Sequence, residues 1–218
     1  MIEGLSSLFG FNSHQMIEPP LDSIRLLNLH THQPCEAKIV ELSRFMAFRR
    51  VSYEWWRFYD HGPFADKEKY REPEDRHWRW VSIVRRLRKN PLSVRAAVQT
   101  SDLHVQGATI YRLNGISYLE PGEGAIFGEF LATAPRNRET YVKNPLYRGV
   151  GGGLMIMMML HSFLMGFKGR VNLHALPQSV EFHEKYGFLK TTDENDRKIL
   201  YEARSDHALR LLQEAGLI

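Results

Sequence analysis

The sequence predicts an α/β or α+β fold, built on a mixed, mostly antiparallel sheet that is flanked by helices. Helical patterns dominate up to residue 91, and three short β-rich segments separated by turn residues follow between residues 92 and 134. Strand and helix patterns then alternate in the remainder of the chain. The 218 residues are 43% hydrophobic and 25% charged, which is typical of a globular protein and excludes wholesale disorder.

The first part of the chain is predicted to form one strand and two helices. Residues 1–20 mix Gly, Ser, Asn and a proline pair, so we expect an irregular leader, and residues 23–30 favour a strand. Residues 36–60 are predicted to form a long amphipathic helix, because apolar side chains recur at mostly three- and four-residue steps: Ile39, Leu42, Phe45, Met46, Tyr53 and Trp56. This helix is expected to end at His61-Gly62-Pro63, and Pro73 is expected to open a second helix over residues 74–89.

The second part of the chain is predicted to begin with a meander of three strands, at residues 93–100, 105–113 and 125–134. A polar loop then reaches Tyr147, and a glycine cluster leads into an apolar helix. The later elements are that helix at residues 152–165, a buried strand at 170–176, a helix at 178–186, a strand at 198–203 and a terminal helix, capped by Ser205, that reaches Gln213.

Composition excludes several classes of protein. The apolar run over residues 151–165 is broken by His161 and Ser162 and falls short of the ~20 residues that cross a bilayer. The N-terminus has an acid at Glu3 and no basic lead-in, so we expect no signal peptide. Cys35 is the only cysteine, which excludes an internal disulfide and favours a reducing compartment. We therefore expect a soluble cytoplasmic protein, and the net charge of +4 does not by itself indicate a nucleic-acid partner.

The most informative local pattern is Arg148-Gly149-Val150-Gly151-Gly152-Gly153, which runs directly into the apolar helix. Glycines let the backbone approach a ligand closely, and the first N–H groups of a helix have no intrahelical acceptor. Together with a charged donor from the arginine, such a segment can bind a phosphate. The pattern is neither a P-loop nor a dinucleotide fingerprint, because Gly-Lys-Ser/Thr and GxGxxG are both absent. A glycine-rich turn without a ligand is the alternative.

Three ordered motifs resemble those of the acetyl-CoA-dependent N-acetyltransferase (GNAT) superfamily. Arg148-x-x-Gly151-x-Gly153 matches its R/Q-x-x-G-x-G/A signature. Residues 179–188 (SVEFHEKYGF) resemble its A-x-x-F-Y-x-K-x-G-F segment, and residues 130–135 (FLATAP) resemble the end of its fourth strand. The resemblance covers residues 92–203, whereas the first 90 residues resemble the family only loosely.

The resemblance implies a sheet whose fourth and fifth strands splay apart, with acetyl-CoA as the co-substrate. The residues that it implies for acetyl-CoA are Leu131, Ala132 and Thr133 for the pantetheine arm, Arg148, Gly149, Val150, Gly151, Gly152 and Gly153 for the pyrophosphate, and Ser179 and Phe182 beside it. It divides one domain over residues 21–218 into a variable acceptor-side part (21–91), an acetyl-CoA-binding core (92–203) and a terminal helix (204–218). No metal is expected, since His30 and His32 come with no third ligand at a suitable spacing.

Acetyl transfer to an amine requires proton transfers, and three side chains are candidates for them. A lysine-like amine with a pKa near 10.4 is neutral in only ~1 part in 2500 at pH 7, a handicap of about 4.6 kcal/mol. Glu129, just before the pantetheine-pairing residues, is the candidate base, with a solvated surface carboxylate as the alternative. His183 replaces the family's usual tyrosine acid and would protonate the CoA thiolate, with a packing role as the alternative; Tyr186 could substitute for it.

The expected function is transfer of an acetyl group from acetyl-CoA to a primary amine by direct attack. A catalytically degenerate acyl-CoA-binding or regulatory module on the same fold is the first alternative. The second is a basic adaptor for nucleic acid or an acidic partner that uses Arg85, Arg86, Arg88 and Lys89 with Trp78 and Trp80, where a solvated helix end is the simpler interpretation. We expect a small-molecule or protein amine as the acceptor, and neither nucleic acid nor a membrane as a partner.

Overall fold

The computed structural model describes residues 18–61, 73–191 and 199–218. The strands in these residues are β1 (Ser23–Asn28), β2 (Gln33–Glu41), β3 (Ser93–Gln99), β4 (Val105–Ile116), β5 (Gly124–Thr133), β6 (Tyr147–Arg148), β7 (Val171–His174), β8 (Phe188–Lys190) and β9 (Leu200–Ala203). They pair in one sheet in the order β6-β1-β2-β3-β4-β5-β7-β9-β8. The β5–β7 pair is parallel and the other described pairs are antiparallel, which confirms the predicted mixed, mostly antiparallel sheet.

Helices flank this sheet. The first, α1, is continuous over residues 44–61 and consists of the α-helical segment Arg44–Met46, the π-helical segment Ala47–Tyr53 and the α-helical segment Glu54–His61. The others are α2 (Trp80–Leu87), α3 (Val150–Leu164), α4 (Val180–Lys185) and α5 (Ser205–Glu214), with 3₁₀ turns at Pro135–Asn137 and Pro177–Ser179. Among the described residues, none of the helices has the length and apolar character that crossing a membrane requires.

Two hydrophobic cores lie on opposite faces of the sheet. Neighbouring strand residues point to opposite faces, and accordingly Ile110 of β4 belongs to one core and Tyr111 to the other. The α3–α5 face buries the methionine-rich helix α3, including Leu154, Met155, Met157, Met158 and Met159. The α1–α2 face buries Leu42, Ala47, Val51, Trp55, Trp80 and Val84. Both faces of the central strands are therefore covered.

The predicted helix of residues 36–60 is wrong in its first part, because residues 36–41 belong to β2. Burial alternates along these residues: Ala37 and Ile39 are buried, whereas Glu36 and Lys38 are exposed. This period-two alternation is that of a half-buried strand. The helix starts only at Arg44, where the Ser43 hydroxyl accepts the Met46 N–H at 3.2 Å and caps it.

The predicted apolar stripe of α1 does not face the core throughout. The inner face is formed by Ala47, Val51, Trp55 and Tyr59, at every fourth position, whereas Phe45, Tyr53 and Trp56 are exposed. The π-helical segment contributes to this difference, because its wider turns change which side chains share a face. The aromatic residues that the sequence pattern assigned to the core are thus largely in solvent.

The other predicted elements agree with the structure apart from shifted ends, except that the second helix is much shorter than predicted. The second helix, predicted over residues 74–89, spans only Trp80–Leu87 and leaves Glu74 and Asp75 in a turn. The predicted cap of the terminal helix is also wrong, because Ser205 is its first residue and its hydroxyl donates to Glu120. The strands β6 and β8 were not predicted. The predicted leader up to residue 17, the Gly62-Pro63 stop and the start of the last strand at Lys198 lie outside the described residues.

Candidate acetyl-CoA site

The strands β5 and β7 pair over only three residues and then part. Ile126, Phe127 and Gly128 lie opposite Val171, Asn172 and Leu173, but β5 continues to Thr133. Residues 129–133 therefore have no strand partner on their β7 side within the described part of the chain. This opening corresponds to the predicted splay of the fourth and fifth strands.

Two peptide groups at the end of β5 face this opening. The Ala134 N–H donates to the Gln106 carbonyl at 2.8 Å, so that the peptide groups of even-numbered residues at this end face β4. Because the N–H and C=O groups of successive strand residues point to opposite edges, those of Leu131 and Thr133 face the opening. Ala132, the middle residue of the predicted trio, faces β4 instead. An extended ligand can therefore pair with Leu131 and Thr133 but not with Ala132.

A β-bulge lies at Glu129. Phe130 is opposite Ile110 and Gly128 is opposite Tyr111, so Glu129 is the extra residue on β5. A bulge of this kind redirects side chains and interrupts pairing. It occurs at the point where β5 leaves β7, immediately before the peptide groups that face the opening.

The bulge directs Glu129 to the α1–α2 face of the sheet. Its carboxylate lies 2.5 Å from Nε of Arg112, whose guanidinium stacks 4.9 Å from the centre of the Phe127 ring. Arg112 shares the face of Ile110, which belongs to the α1–α2 core. The side chain of Glu129 is 16% exposed. Glu129 is therefore a largely enclosed carboxylate at the mouth of the opening.

The glycine-rich segment forms the start of α3. Gly149 adopts a left-handed conformation with φ of 97°, which glycine tolerates far better than other residues. The first intrahelical hydrogen bond of α3 is donated by the Gly153 N–H to the Gly149 carbonyl, at 2.8 Å. The N–H groups of residues 150–152 therefore have no intrahelical acceptor. The positive end of a 15-residue helix lies at this point, which favours a bound anion.

The three motifs of the resemblance meet at Gly151. A Cβ atom on Gly151 would lie 3.1 Å from Cζ of Phe182 on α4 and 3.4 Å from Cγ2 of Thr133 at the end of β5. A Cβ atom on Gly152 would collide with the hydroxyl of Tyr186. A side chain at Gly152 would require Tyr186 to move, and one at Gly151 would press on Phe182, so the end of β5, the start of α3 and the aromatic residues of α4 lie next to one another.

Other residues predicted for acetyl-CoA have different surroundings. Gly153 uses its N–H within the helix, and a Cβ on it would lie 2.6 Å from Cδ1 of Ile24, so its lack of a side chain serves packing against β1. Arg148 is exposed at the rim and lies 3.1 Å from Glu139. The Ser179 hydroxyl donates to the Leu176 carbonyl at 2.9 Å, which fixes the turn before α4.

The two candidate acids differ in their surroundings. His183 is 5% exposed and packs between the rings of Phe182 and Phe188, at centroid distances of 5.2 and 5.5 Å. Burial lowers the pKa of His183 to about 4, so its imidazole is neutral at pH 7. Tyr186 is half-buried beside Gly152, and burial raises the pKa of its hydroxyl, which therefore stays protonated. The surroundings of His183 are those of a packing residue, whereas Tyr186 keeps its proton and lies beside the start of α3.

An ion pair that the sequence analysis did not identify fixes the end of β5. Arg138 donates to the Thr133 carbonyl from Nε at 2.9 Å and from Nη2 at 2.7 Å, and both its terminal nitrogens bond to Asp75. Burial alone would lower the pKa of Arg138, but the hydrogen bonds and charge of Asp75 raise it above its usual range. Glu74, next to Asp75, accepts the Gln178 N–H at 2.9 Å. The turn that carries Glu74 and Asp75 thus connects the chain after β5 with the chain after β7.

Solved structures, among them a GNAT protein, share this architecture. FdhC, described as a nucleotide-linked sugar GNAT and solved in its apo form, superimposes with a TM-score of 0.52 at 10% identity, over 89% of this chain and 97% of FdhC. A bacterial toxin superimposes with a TM-score of 0.50 at 16% identity, over 65% of this chain and 83% of the toxin. No protein-family model matches the chain, and no curated protein matches it by sequence. The chain has the GNAT fold, as the three motifs predicted.

Proposed function

We propose that the protein is an acetyl-CoA-dependent acetyltransferase that transfers the acetyl group to a primary amine by direct attack. The observation that carries this proposal is the meeting of the β5–β7 opening with the start of α3. The opening offers an unpaired strand edge to a pantetheine arm, and the helix start offers unpaired N–H groups to a pyrophosphate. Both parts belong to one site, because Thr133 and Phe182 flank Gly151. The GNAT fold supports the same conclusion.

The binding roles follow from the directions of the peptide groups. Leu131 and Thr133 would hydrogen-bond the extended arm, and the N–H groups of residues 150–152 would bind the diphosphate. The Thr133 carbonyl already accepts twice from Arg138, so its N–H is the group that remains for the ligand. The thioester of acetyl-CoA supplies a carbonyl that is activated towards amines.

The acceptor amine would approach from the α1–α2 face, where Glu129 lies. An aromatic wall is present on this face, because Phe130 packs against Trp78 with ring centroids 5.0 Å apart. Glu129 would remove the amine proton, directly or through a water molecule, while Arg112 holds the carboxylate in place. The acceptor class is a small-molecule or protein amine.

The leaving thiolate would be protonated from the opposite face. Tyr186 packs against the α3–α5 core, and its hydroxyl lies beside Gly152 at the start of α3, so the proposed acid and the proposed base would approach the opening from its two sides. His183 is the acid that the motif resemblance implies, and its substitution remains part of the test. Because its imidazole is neutral and enclosed by Phe182 and Phe188, we propose Tyr186 as the donor.

An acyl-CoA-binding module without catalysis is the second candidate function. The burial of His183 favours it, because the position that usually carries the acid donates nothing to the opening. Such a module would bind acetyl-CoA and yet release no CoA when amines are added.

The experiment is a thiol-release assay with acetyl-CoA and a panel containing a polyamine, an aminoglycoside, amino acids and lysine-bearing peptides. The proposal expects amine-dependent CoA release by the wild type and loss of that release in Gly151→Val. Binding of acetyl-CoA without release for any amine would support the second candidate, and absence of binding would contradict both.

A further inference from the structure

The outer side of α1 carries a row of exposed aromatic residues. Phe45 is 73% exposed, Phe48 57%, Tyr53 51% and Trp56 49%. The inner side of the same helix is filled by Ala47, Val51, Trp55 and Tyr59, so the fold does not need the outer ring systems for its core. Solvent-exposed aromatic residues at this density are typical of a binding surface.

Arginines are interleaved with these aromatic residues. Arg44 adjoins Phe45, Arg49 adjoins Phe48 and Arg57 adjoins Trp56, and all three arginines are exposed. The guanidinium of Arg49 lies 6.0 Å from the centre of the Tyr53 ring. At least one exposed arginine of α1 therefore lies against an exposed ring of the same helix.

The neighbouring helix α2 adds positive charge. Its exposed cations, including those at its two ends, are Arg79, Arg85, Arg86, Arg88 and Lys89. With the three arginines of α1 they make eight exposed cations, of the 29 Lys and Arg residues in the entire chain. Glu54 of α1 is already bonded to Arg50 and His104, both at 2.8 Å. We call this surface, formed by the exposed aromatic residues of α1 and these eight cations, the aromatic–arginine face.

A cleft between the start of α1 and the end of α2 lies within this face. Its volume is about 420 Å³, and Arg44, Arg88, Lys89 and Arg95 contribute to its lining. Glu41 also lines it but is paired with Arg95 at 2.6 Å. Among the described residues, no carboxylate pairs with the other three cations of the cleft. A phosphate group fits this charge.

We infer that the aromatic–arginine face binds single-stranded nucleic acid, a partner that the sequence analysis did not expect. The cations of the cleft and of α2 would contact the phosphates, and the exposed rings of α1 would stack on unpaired bases. A duplex keeps its bases stacked on each other and would use only the charges. An anionic membrane would favour an apolar stripe separated from the charges, whereas here the guanidinium of Arg49 lies 6.0 Å from the centre of the exposed Tyr53 ring. This inference does not depend on the proposed acetyl transfer.

The first test is fluorescence anisotropy of the full-length protein with labelled oligouridine, oligothymidine and duplex DNA at 50 to 200 mM salt. Neutralisation of about five phosphates at ~0.7 counterions each gives an expected affinity loss of about 100-fold over this range for the single strands. The duplex is expected to bind more weakly than either single strand. The two single strands distinguish RNA from DNA as the preferred ligand.

Paired variants separate the two kinds of contact. Arg88→Gln with Lys89→Gln should weaken all oligonucleotides and reduce the salt dependence, whereas Phe48→Ala with Trp56→Ala should weaken the single strands at least five-fold at unchanged salt dependence. The matched controls lie on another part of the surface. They are Lys190→Gln with Arg210→Gln for charge and Tyr118→Ala for an exposed ring, and they should bind as the wild type does.

Four results would overturn the inference. The first is an equal loss of oligonucleotide affinity in the control variants, and the second is oligonucleotide binding that does not depend on salt or is absent. The third is equal affinity for duplex and single strands together with no effect of Phe48→Ala and Trp56→Ala. The fourth is binding to phosphatidylglycerol vesicles without binding to oligonucleotides. Circular dichroism and thermal melting of each variant verify that it is folded. Because the substituted side chains are exposed, we expect melting close to that of the wild type.

Discussion

Replacing Gly151 by valine should selectively impair acetyl-CoA binding. The backbone at this position is helical without a positive φ, so valine can adopt it. Its Cβ would approach Phe182 to 3.1 Å and Thr133 to 3.4 Å, and its two methyl groups would extend further into the same space. The substitution therefore fills the site or displaces Phe182, while the helix itself can still form.

The size of the effect follows from the contacts that the helix start can offer. The N–H groups of residues 150–152 are the donors without intrahelical acceptors, and bonds from such groups to a phosphate are charge-assisted. Each bond is worth about 1.5–3 kcal/mol. Loss of only one of them lowers the affinity for acetyl-CoA about ten-fold to 100-fold.

Calorimetric titration with acetyl-CoA measures this loss, and Gly153→Ala is the comparison. The sequence pattern predicts that both glycines matter for binding. The structure predicts a difference, because the Gly153 N–H is already bonded and its Cα faces Ile24. Gly153→Ala should lower the melting temperature and leave the affinity for acetyl-CoA within about two-fold of the wild-type value. This change is well below the change in affinity expected from the loss of one hydrogen bond. Unchanged affinity in folded Gly151→Val would refute the reasoning.

Four further outcomes are expected. Tyr186→Phe should lower turnover about 100-fold without changing the affinity for acetyl-CoA, whereas His183→Phe should retain turnover. If steady-state assays show that His183→Phe loses turnover and Tyr186→Phe retains it, His183 is the acid. Glu129→Gln should lower turnover and flatten the acidic limb of the pH–rate profile, and an unaltered profile would reduce Glu129 to a surface carboxylate. The pKa of His183 is about 4 in the folded protein and near 6.5 in the unfolded chain, so the unfolded chain binds more protons between these pH values. The free energy of unfolding should therefore fall by about 2 kcal/mol from pH 7 to pH 5. Urea titrations should show that His183→Phe removes this fall. Asp75→Ala should lower the free energy of unfolding by about 3 kcal/mol, because it leaves the Arg138 guanidinium unpaired. The double variant with Arg138→Leu should be more stable than Asp75→Ala. Equal stability of the wild type and Asp75→Ala would count against a structural role of this ion pair.

The parts of the fold and site that the sequence predicts are those with local signatures. The glycines at the start of α3, the end of β5 and the aromatic residues of α4 each restrict their own backbone or packing. The resemblance of these motifs to those of the GNAT superfamily implied that they belong to one site. A Cβ atom on Gly151 would lie 3.1 Å from Phe182 and 3.4 Å from Thr133.

The remaining features depend on contacts between distant segments. Asp75 and Arg138 are 63 residues apart and each is an ordinary polar residue in a loop, so no spacing rule links them. The depressed pKa of His183 arises from the rings around it rather than from its own motif. In α1, spacing alone assigned Phe45 to the core, because the π-helical segment that changes the face of the helix leaves no pattern in the sequence.

The most direct test of the central claim is amide hydrogen exchange, resolved by residue, with and without acetyl-CoA. Binding along the β5–β7 opening predicts slower exchange at the N–H groups of Leu131 and Thr133 and of residues 150–152. These N–H groups have no hydrogen-bond partner among the residues that the structure describes. Amides of β2 and β3, which already pair within the sheet, should exchange as before. Protection confined to other strands, or no protection at a saturating concentration, would contradict the assignment of this site.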